Sequence, residues 1–422
     1  MSAQVRYTRS DAPGWLEDRD RTEGIGFRVG NLELHPGVGL EMGYDSNVFF
    51  SQDNPDSSAV LRVTPHLYLS TLGGERSEGD AQAAMRKVDL RAGLSANYFH
   101  YFETEARSNL GADADVRLRV MPGRPFSLTF TESFGRTIRP FTENGPSDNY
   151  ARSQNDLGLA FQAQTRGGVL RGGAGYRMRL DYFEGDSFRY ASSIEHVVEG
   201  AWTWRFLPQT ALLYDAEFVF SDYLDTDAGT APAVTELNDH RRFQTRVGID
   251  GAFTQRFSLR ALVGYAVGFY DTDDFAGDEY ESVVGQLEGR LSIGESSSVS
   301  FGYDRTFARA FMGNFQSRDR LYTRVQALAL GALLLGADFS VNFLNFGATS
   351  LGTDPGEERS DALLHAGIFA EYRATDWLAL NGTVLYRADF TDFDFSVDRG
   401  TSSVDAAEFS KFEAWSGVRV FY

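Results

Sequence analysis

The feature that most constrains this chain is the strict two-residue alternation in residues 105–120, EARSNLGADADVRLRV. One set of alternate positions is small or apolar and ends in Val116, Leu118 and Val120, while the other set is mostly charged or polar. Because side chains alternate faces along a strand, the pattern predicts a two-faced β-strand sixteen residues long. Globular strands usually have about five or six residues. A long strand with these two faces suits a wall between lipid and water.

The same alternation recurs along the chain and predicts eighteen strands. From the fourth strand onward, short links such as MPGRP, TRGG and LPQ alternate with longer ones such as DTDAGTAPAVTELN. This sorting is typical of outer-membrane barrels. The sequence lacks the blade-like repeat of about 40 residues that a propeller would show. We predict an all-β fold, a transmembrane antiparallel β-barrel of about 18 strands over residues 31–422, with short periplasmic turns and long extracellular loops. Residues 1–30 are predicted to be a flexible periplasmic segment, with a small lumenal plug as the alternative.

Composition excludes several other classes of protein. The longest apolar run, VQALALGALLL, is too short to cross a bilayer as a helix. A net charge of −19 disfavours nucleic-acid binding, and the absence of cysteine excludes disulfides and thiolate sites. The first residues, MSAQVR, lack the apolar core of a signal peptide. This absence alone would indicate a cytoplasmic protein. Because the rest of the chain has the pattern of a membrane barrel, we instead interpret it as the mature part of an exported protein of the bacterial outer membrane.

The polar faces of the predicted strands supply the candidate functional residues. In a barrel of this size they would surround an aqueous lumen and contact a hydrophilic polymer or small solute, while the apolar faces would contact outer-membrane lipid. Cross-strand ion pairs that stabilise the wall are the competing interpretation of the same charges. The predicted pore-lining residues are Arg107, Asp113, Asp115, Arg117, Arg119, Arg171, Arg177, Arg179, Glu195, Glu199, Asp215, Glu217, Arg242 and Arg246.

The sequence contains only weak indications of a metal site and no recognised catalytic motif. Three acidic runs, DTDAGT, DTDDFAGDE and TDFDFSVD, contain oxygen ligands suited to Ca²⁺, but none has the spacing of a twelve-residue calcium loop, so solvated loops are the favoured interpretation. No serine-hydrolase, zinc-protease or phosphate-loop motif is present, and the six histidines are scattered over different strands. A Ser/His pair inside the barrel is the remaining enzymatic alternative. We predict no catalytic residues, no metal site and no cofactor.

Residues 26–50, GFRVGNLELHPGVGLEMGYDSNVFF, resemble the opening of the β-barrel porin 2 family. The matching positions are Val29, Gly30, Leu32, Leu34, Pro36, Tyr44, Asp45, Asn47, Val48 and Phe49. The last residues, AWSGVRVFY, are similar to the C-terminal signal read by the barrel-assembly machinery, although Tyr422 stands where Phe is commoner and Ser416 interrupts the apolar face.

The resemblance implies a function that the strand pattern does not provide. Members of that family include outer-membrane porins associated with the export of exopolysaccharide or capsular polysaccharide. The resemblance therefore implies that this protein exports polysaccharide, together with a periplasmic polysaccharide-export partner. A general or solute-specific diffusion porin is the first alternative. A barrel that sheathes or scaffolds a partner protein is the second, although sheaths around electron-transfer cytochromes are usually larger.

Overall fold

A computed structural model describes residues 24–52, 54–71, 87–103, 109–122, 125–137, 151–185, 189, 192–224, 239–270, 279–294, 296–310, 315–347, 359–398, 402–406 and 408–422. Most of them belong to one antiparallel sheet that closes on itself. Among the described residues, no helix is long and apolar enough to cross a membrane. Within these ranges the one helical element is a single 3₁₀ turn, Arg166–Gly168.

Eighteen strands of 12 to 16 residues form the closed wall, which confirms the predicted fold class and strand number. The short strand β1 (Phe27–Val29) precedes the wall and pairs with its first strand. The wall strands are β2 (Leu32–Asp45), β3 (Ser58–Thr71), β4 (Val88–Tyr101), β5 (Asn109–Val120), β6 (Phe126–Thr137), β7 (Arg152–Gln164), β8 (Leu170–Phe183), β9 (Ser193–Leu207), β10 (Thr210–Tyr223), β11 (His240–Ala252), β12 (Phe257–Tyr270), β13 (Glu279–Ile293), β14 (Ser297–Arg309), β15 (Phe315–Ala329), β16 (Leu333–Phe346), β17 (Ser360–Thr375), β18 (Leu378–Phe390) and β21 (Phe409–Phe421).

Two further strands, β19 (Asp394–Asp398) and β20 (Ser402–Ala406), form a separate hairpin between β18 and β21. Each wall strand pairs with its chain neighbours, and β21 pairs with both β18 and β2. The closing ladder runs from Gly37 opposite Phe421 to Asp45 opposite Glu413. Every backbone group of a regular closed sheet can be paired within the sheet, which hydrocarbon demands of a spanning structure.

Alternation decides which side chains face outward. Large apolar residues at alternate positions stay exposed on the outer surface, among them Leu94, Val198, Val263 and Leu380. Aromatic residues lie above and below this apolar band. Those near the loop end include Tyr44, Tyr182, Phe220, Phe269, Phe343 and Phe390, and those near the short turns include Phe126, Phe161, Trp204, Phe253, Trp377 and Tyr422. An apolar band between two aromatic girdles is the surface expected of a barrel in a membrane.

Two predicted boundaries fall partly outside the described residues. The strand predicted over residues 105–120 is described from Asn109, because residues 104–108 lie outside the described part of the chain. Leu110 is the second described residue of β5 and lies near the loop end of the wall, opposite Tyr98 of β4. Of the predicted N-terminal segment, residues 1–23 lie outside the described part, and residues 27–29 form β1 opposite residues 32–34.

Candidate solute channel

The charged residues predicted from β8 to β11 lie on the inner wall, opposite the exposed apolar positions, and they contact one another. Arg177 reaches Glu199 at 3.0 Å and Glu217 at 3.2 Å, and Arg242 reaches the other oxygen of Glu217 at 3.1 Å. The side chain of Arg246 lies 2.9 Å from that of Asp215. These groups are partly exposed to the lumen, with side-chain exposures between 11% and 26%. The wall therefore carries charges of both signs that stay in contact with solvent.

A second set of contacts extends this charged belt toward the loop end. Arg179 lies 3.1 Å from Asp156 on β7 and 3.5 Å from Glu195 on β9. Asp156 was not among the predicted pore-lining residues, although it alternates with Leu157 and Leu159 in the same way as the others. Alternation within a strand identifies its inward face. The ion-pair partner on the neighbouring strand depends on the register between the two strands, which the sequence of one strand does not show.

The predicted residues of β5 form a different environment. Asp113 accepts a hydrogen bond from the Asn97 side chain at 3.3 Å and is almost fully buried. Arg117 stands opposite Arg91 in the β4–β5 ladder, and Arg119 stands opposite Asp89. Asp115 lies between Asp113 and Arg117 on the same inward face of β5. The remaining predicted residue of this stretch, Arg107, lies outside the described part of the chain, and Arg171 of β8 is on the inner face near the short turns.

The stretch that resembles the porin 2 opening contributes to a set of contacts at the closing pair of strands, which we call the lock. The Lys411 ammonium lies 2.7 Å from the Asp45 carboxylate and donates to the Asn47 carbonyl oxygen at 2.8 Å. Asn47 also receives the backbone N–H of Ser51 and donates to the backbone oxygens of Ser51 and Ser410. Val48 then packs into a buried apolar cluster on the inner side of the wall. Asp45, Asn47 and Val48 thus help to hold β2 and β21 together.

Two buried ion pairs continue this lock along the inner wall. Arg62 lies 2.7 Å from Glu41 and stacks 4.3 Å above the ring of Trp415. On the other side of β21, Arg419 reaches Glu371 of β17 at 2.7 Å. All four charged side chains are almost completely buried. Buried pairs of this kind make the removal of either partner costly, because the other charge is left uncompensated.

The loop end of β14 and β15 leaves the wall and folds into the lumen. The ladder between β13 and β14 ends at Gly285 opposite Arg305, although both strands continue beyond it. We call residues 306–310 and 315–317 the inward hairpin end. Phe307 alternates with the exposed Phe301 and Tyr303, yet it is only 4% exposed. The outer face of β14 has therefore turned onto the inner surface of its neighbours at this point.

The aromatic contacts of the inward hairpin end fix where it lies. The Phe307 ring stacks on Tyr280 with centroids 4.7 Å apart, and Tyr280 also stacks on Phe315 at 3.8 Å. A Cβ atom at Gly268 of β12 would lie only 3.0 Å from the Phe307 ring, so glycine permits this close approach. Arg242 donates to the Phe307 carbonyl oxygen at 3.0 Å. The hairpin end therefore packs against the inner surface of β11, β12 and β13.

Arg309 fastens the inward hairpin end to more distant strands. Its guanidinium lies 3.3 Å from Glu195 of β9 and 3.4 Å from Asp181 of β8, and it also donates to the Ser193 hydroxyl. Glu195 and Asp181 have side-chain exposures of 8% and 13%. Because β9 and β8 lie five and six positions from β14 around the sheet, these contacts cross part of the lumen and narrow it.

Contacts at the loop-side rim link neighbouring strands. Glu184, just beyond β8, forms a two-pronged ion pair with Arg136 of β6, with both oxygens 2.7 Å from guanidinium nitrogens. These hydrogen bonds hold the pKa of Glu184 below its ordinary value. Glu103, just beyond β4, accepts hydrogen bonds from the Ser58 hydroxyl and the Ala59 N–H, and its pKa is lowered in the same way.

The predictions of no catalytic residues and no metal site stay predictions. His196 faces outward, as its strand pattern indicates, and its Nδ1 lies 2.7 Å from the Tyr176 hydroxyl. His365 forms an ion-pair contact with Asp338 at 2.6 Å. Among the described residues there is no group of three metal-ligating side chains. Two of the acidic runs weighed for calcium fall mainly on residues 225–230 and 271–278, outside the described part, and in the third the side chains of residues 394–398 are also outside it.

The closed antiparallel sheet, the apolar outer band and the charged inner wall define an outer-membrane β-barrel. No protein-family model and no curated protein matches the chain. Among solved structures it is similar to the outer membrane protein OpdK of Pseudomonas aeruginosa, with 12% identity, coverage of 92% of this chain and 99% of that chain, and a TM-score of 0.47.

Two further solved barrels have comparable similarity. OccK2 of Pseudomonas aeruginosa, solved in complex with glucuronate, is 10% identical over 94% of this chain and 99% of that chain, with a TM-score of 0.49. The FrpB iron transporter of Neisseria meningitidis is 11% identical over 94% of this chain and 82% of that chain, with a TM-score of 0.46. At this level the likeness concerns the barrel fold alone, and the resemblance to the porin 2 family is limited to the short N-terminal stretch.

Proposed function

We propose that the protein is a passive channel that lets small hydrophilic solutes cross the outer membrane. The observation that carries this proposal is the partly exposed belt of opposite charges formed by Arg177, Glu199, Glu217, Arg242 and their neighbours on the inner wall. An eighteen-stranded barrel is wide enough to enclose water, and a wall with both signs of charge solvates polar solutes. The fourteen predicted residues are proposed to line this path.

The diffusion channel is favoured over polysaccharide export. The export hypothesis rests on the resemblance of residues 26–50, and no family model extends that resemblance along the chain. The inward hairpin end narrows the lumen through the contacts of Arg309 with Glu195 and Asp181, which suits a small solute better than a polymer. The same narrowing disfavours a sheath that would hold a partner protein in the lumen.

Reconstitution tests the proposed channel directly. Purified protein in planar bilayers should produce discrete conductance steps, and proteoliposomes should swell in monosaccharides but not in dextran. Absence of conductance, or equal permeation of dextran, would contradict a small-solute channel. Gene deletion separates the two transport hypotheses: loss of surface polysaccharide with intact solute uptake would favour export, and the reverse pattern would favour diffusion.

Ion selectivity tests the role of the inner-wall arginines. Replacing Arg177 and Arg179 with glutamine removes two positive charges from the path and should shift the reversal potential toward cation selectivity. Arg241→Gln is the matched control, because Arg241 points outward on β11 and pairs with Asp222 at 3.1 Å. If the double variant keeps the selectivity of the wild type, the arginines serve only to stabilise the wall.

A further inference from the structure

A recess of about 180 Å³ opens on the inner wall where β13, β14 and β15 lie side by side. The small side chains of Ser298 and Ser300 line it on β14, and longer polar side chains line it on the two neighbouring strands. Both serines precede the inward hairpin end on the same strand. The recess therefore lies between the hairpin end and the short turns, inside the proposed solute path.

The strand register places two arginines on either side of one serine. Arg290 of β13 stands opposite Ser300, and Ser300 stands opposite Arg324 of β15. Because neighbouring strands are about 4.8 Å apart, the two arginine backbones are about 10 Å apart with the serine between them. Both arginine side chains are exposed to the lumen. Guanidinium groups bind carboxylates through paired N–H donors, so this row can hold a carboxylate from two sides.

Two carboxylates lie near these arginines, and each has a hydrogen-bond partner of its own; one of them, Glu288, also lines the recess. Asp338, opposite Arg324 in the β15–β16 ladder, forms its short contact with His365 at 2.6 Å. Glu288, two residues before Arg290, accepts a hydrogen bond from the Tyr322 hydroxyl. Within the part of the chain that the structure describes, Arg290 and Arg324 have no carboxylate within ion-pair distance. Their charges are therefore available to a solute.

The surrounding groups add uncharged hydrogen-bonding partners. Tyr322 lies across Gly302, where a Cβ atom would be only 2.7 Å from the tyrosine hydroxyl, so glycine allows the ring to occupy this side of the recess. Ser298 and Gln326 face each other in the ladder at the other side. Hydroxyl and amide groups at these positions suit a ligand that carries hydroxyl groups next to its acid.

We propose that this recess is a binding site for small hydroxylated carboxylic acids, with Arg290 and Arg324 binding the carboxylate. Ser298, Ser300 and Gln326 contact the hydroxyl groups. The inference rests on the proposed channel function and deepens it, because it names the chemical class of solute that the channel selects. A site of this kind in the path slows an acid briefly as it passes, which a current recording detects as block.

Single-channel recording with gluconate tests the site. Gluconate should interrupt the potassium chloride current in a concentration-dependent manner, whereas the neutral polyol sorbitol should not. Arg290→Gln and Arg324→Gln should each weaken gluconate block about tenfold or more, since each removes a charge-assisted contact. Arg260→Gln is the matched control, because Arg260 points inward on β12, pairs with Asp250 at 2.5 Å and does not line the recess. Gluconate should block the current of the Arg260→Gln variant as strongly as that of the wild type.

The outcomes separate failure of the site from failure of the channel. Absence of any potassium chloride current would refute the proposed function itself. A normal current with equal gluconate block in the wild type, Arg290→Gln and Arg324→Gln would refute the binding site and leave the channel intact. Equal block by sorbitol and gluconate would also refute it, because charge recognition would then play no part. Selective loss of gluconate block in the two variants, with block retained in the control, would support the site.

Discussion

Arg309 should control how open the lumen is, because it fastens the inward hairpin end to β8 and β9, which lie several strands away around the wall. Arg309→Gln removes ionic contacts to Asp181 and Glu195. A hydrogen bond to a charged group contributes about 1.5–3 kcal/mol. Both carboxylates keep other partners, since Arg152 lies 3.5 Å from Asp181 and Arg179 lies 3.5 Å from Glu195. We therefore expect the lower part of this range, about 2 kcal/mol in favour of detachment.

A change of about 2 kcal/mol alters the equilibrium between attached and detached hairpin ends about 30-fold. A detached state with about 1% occupancy in the wild type would then reach about 20–25%. Since detachment removes protein from the lumen, single-channel recordings of Arg309→Gln should show visits to a higher conductance level. The double variant Glu195→Gln/Arg309→Gln should behave much like Arg309→Gln, because the contact is already lost.

Arg320→Gln is the control for the loss of one positive charge from the same hairpin. Arg320 pairs with Asp304 at 2.6 Å on the part of β14 and β15 that stays within the wall. This variant should change ion selectivity slightly without creating the higher conductance level. If Arg309→Gln and Arg320→Gln give the same recordings, Arg309 does not hold the hairpin end in the lumen and the argument for a narrowed channel fails.

Three further changes test the wall, the lock and the rim. Val263→Arg, at the middle of β12 on the lipid face, should cost about 2–4 kcal/mol in denaturant unfolding in lipid, whereas Gln244→Arg on the lumen face should cost far less, and equal costs would contradict the two-faced wall. Lys411→Met should destabilise the barrel by about 3–5 kcal/mol by leaving Asp45 buried without its partner, and a wild-type unfolding midpoint would show that the lock contributes little. Because the folded-state pKa of Glu184 is lowered, its ion pair contributes stability above the unfolded pKa of about 4.3 and loses it as the pH falls through the folded value. Glu184→Gln should therefore flatten this part of the stability–pH profile by at most about 1 kcal/mol, and an unchanged profile would exclude the effect.

The barrel could be predicted from the sequence because a period of two is a local property. Each strand shows its own two faces without reference to its neighbours, so the eighteen strands and the sorting of turns and loops are visible in the chain alone. The inward direction of Arg177, Glu199 and Glu217 follows from the same local pattern. Their mutual contacts do not, because each pair depends on the register and tilt of neighbouring strands.

The inward hairpin end could not be predicted for a related reason. Phe307 follows the apolar positions Phe301 and Tyr303 at the same spacing, so the local pattern of β14 places it on the outer face. The strand instead leaves its ladder beyond Arg305, and the same outer face becomes a packing surface inside the lumen. Departure of a strand from a sheet is decided by long-range contacts, here those of Phe307 with β12 and β13. Arg305 and Arg309 place charges on the otherwise apolar face of β14, which shows that the pattern weakens here but does not show where the strand goes.

Closure of the sheet by β2 and β21 also determines the order in which the barrel can be made. Gly37 is among the first wall residues to be synthesised, and its partner Phe421 is among the last. Until that partner arrives, the growing sheet has two edges of unpaired N–H and C=O groups, which hydrocarbon does not tolerate. Closure of the barrel in the membrane must therefore wait for the last wall strand, and a chain that stops before Phe409 should remain dependent on factors that shield its edges.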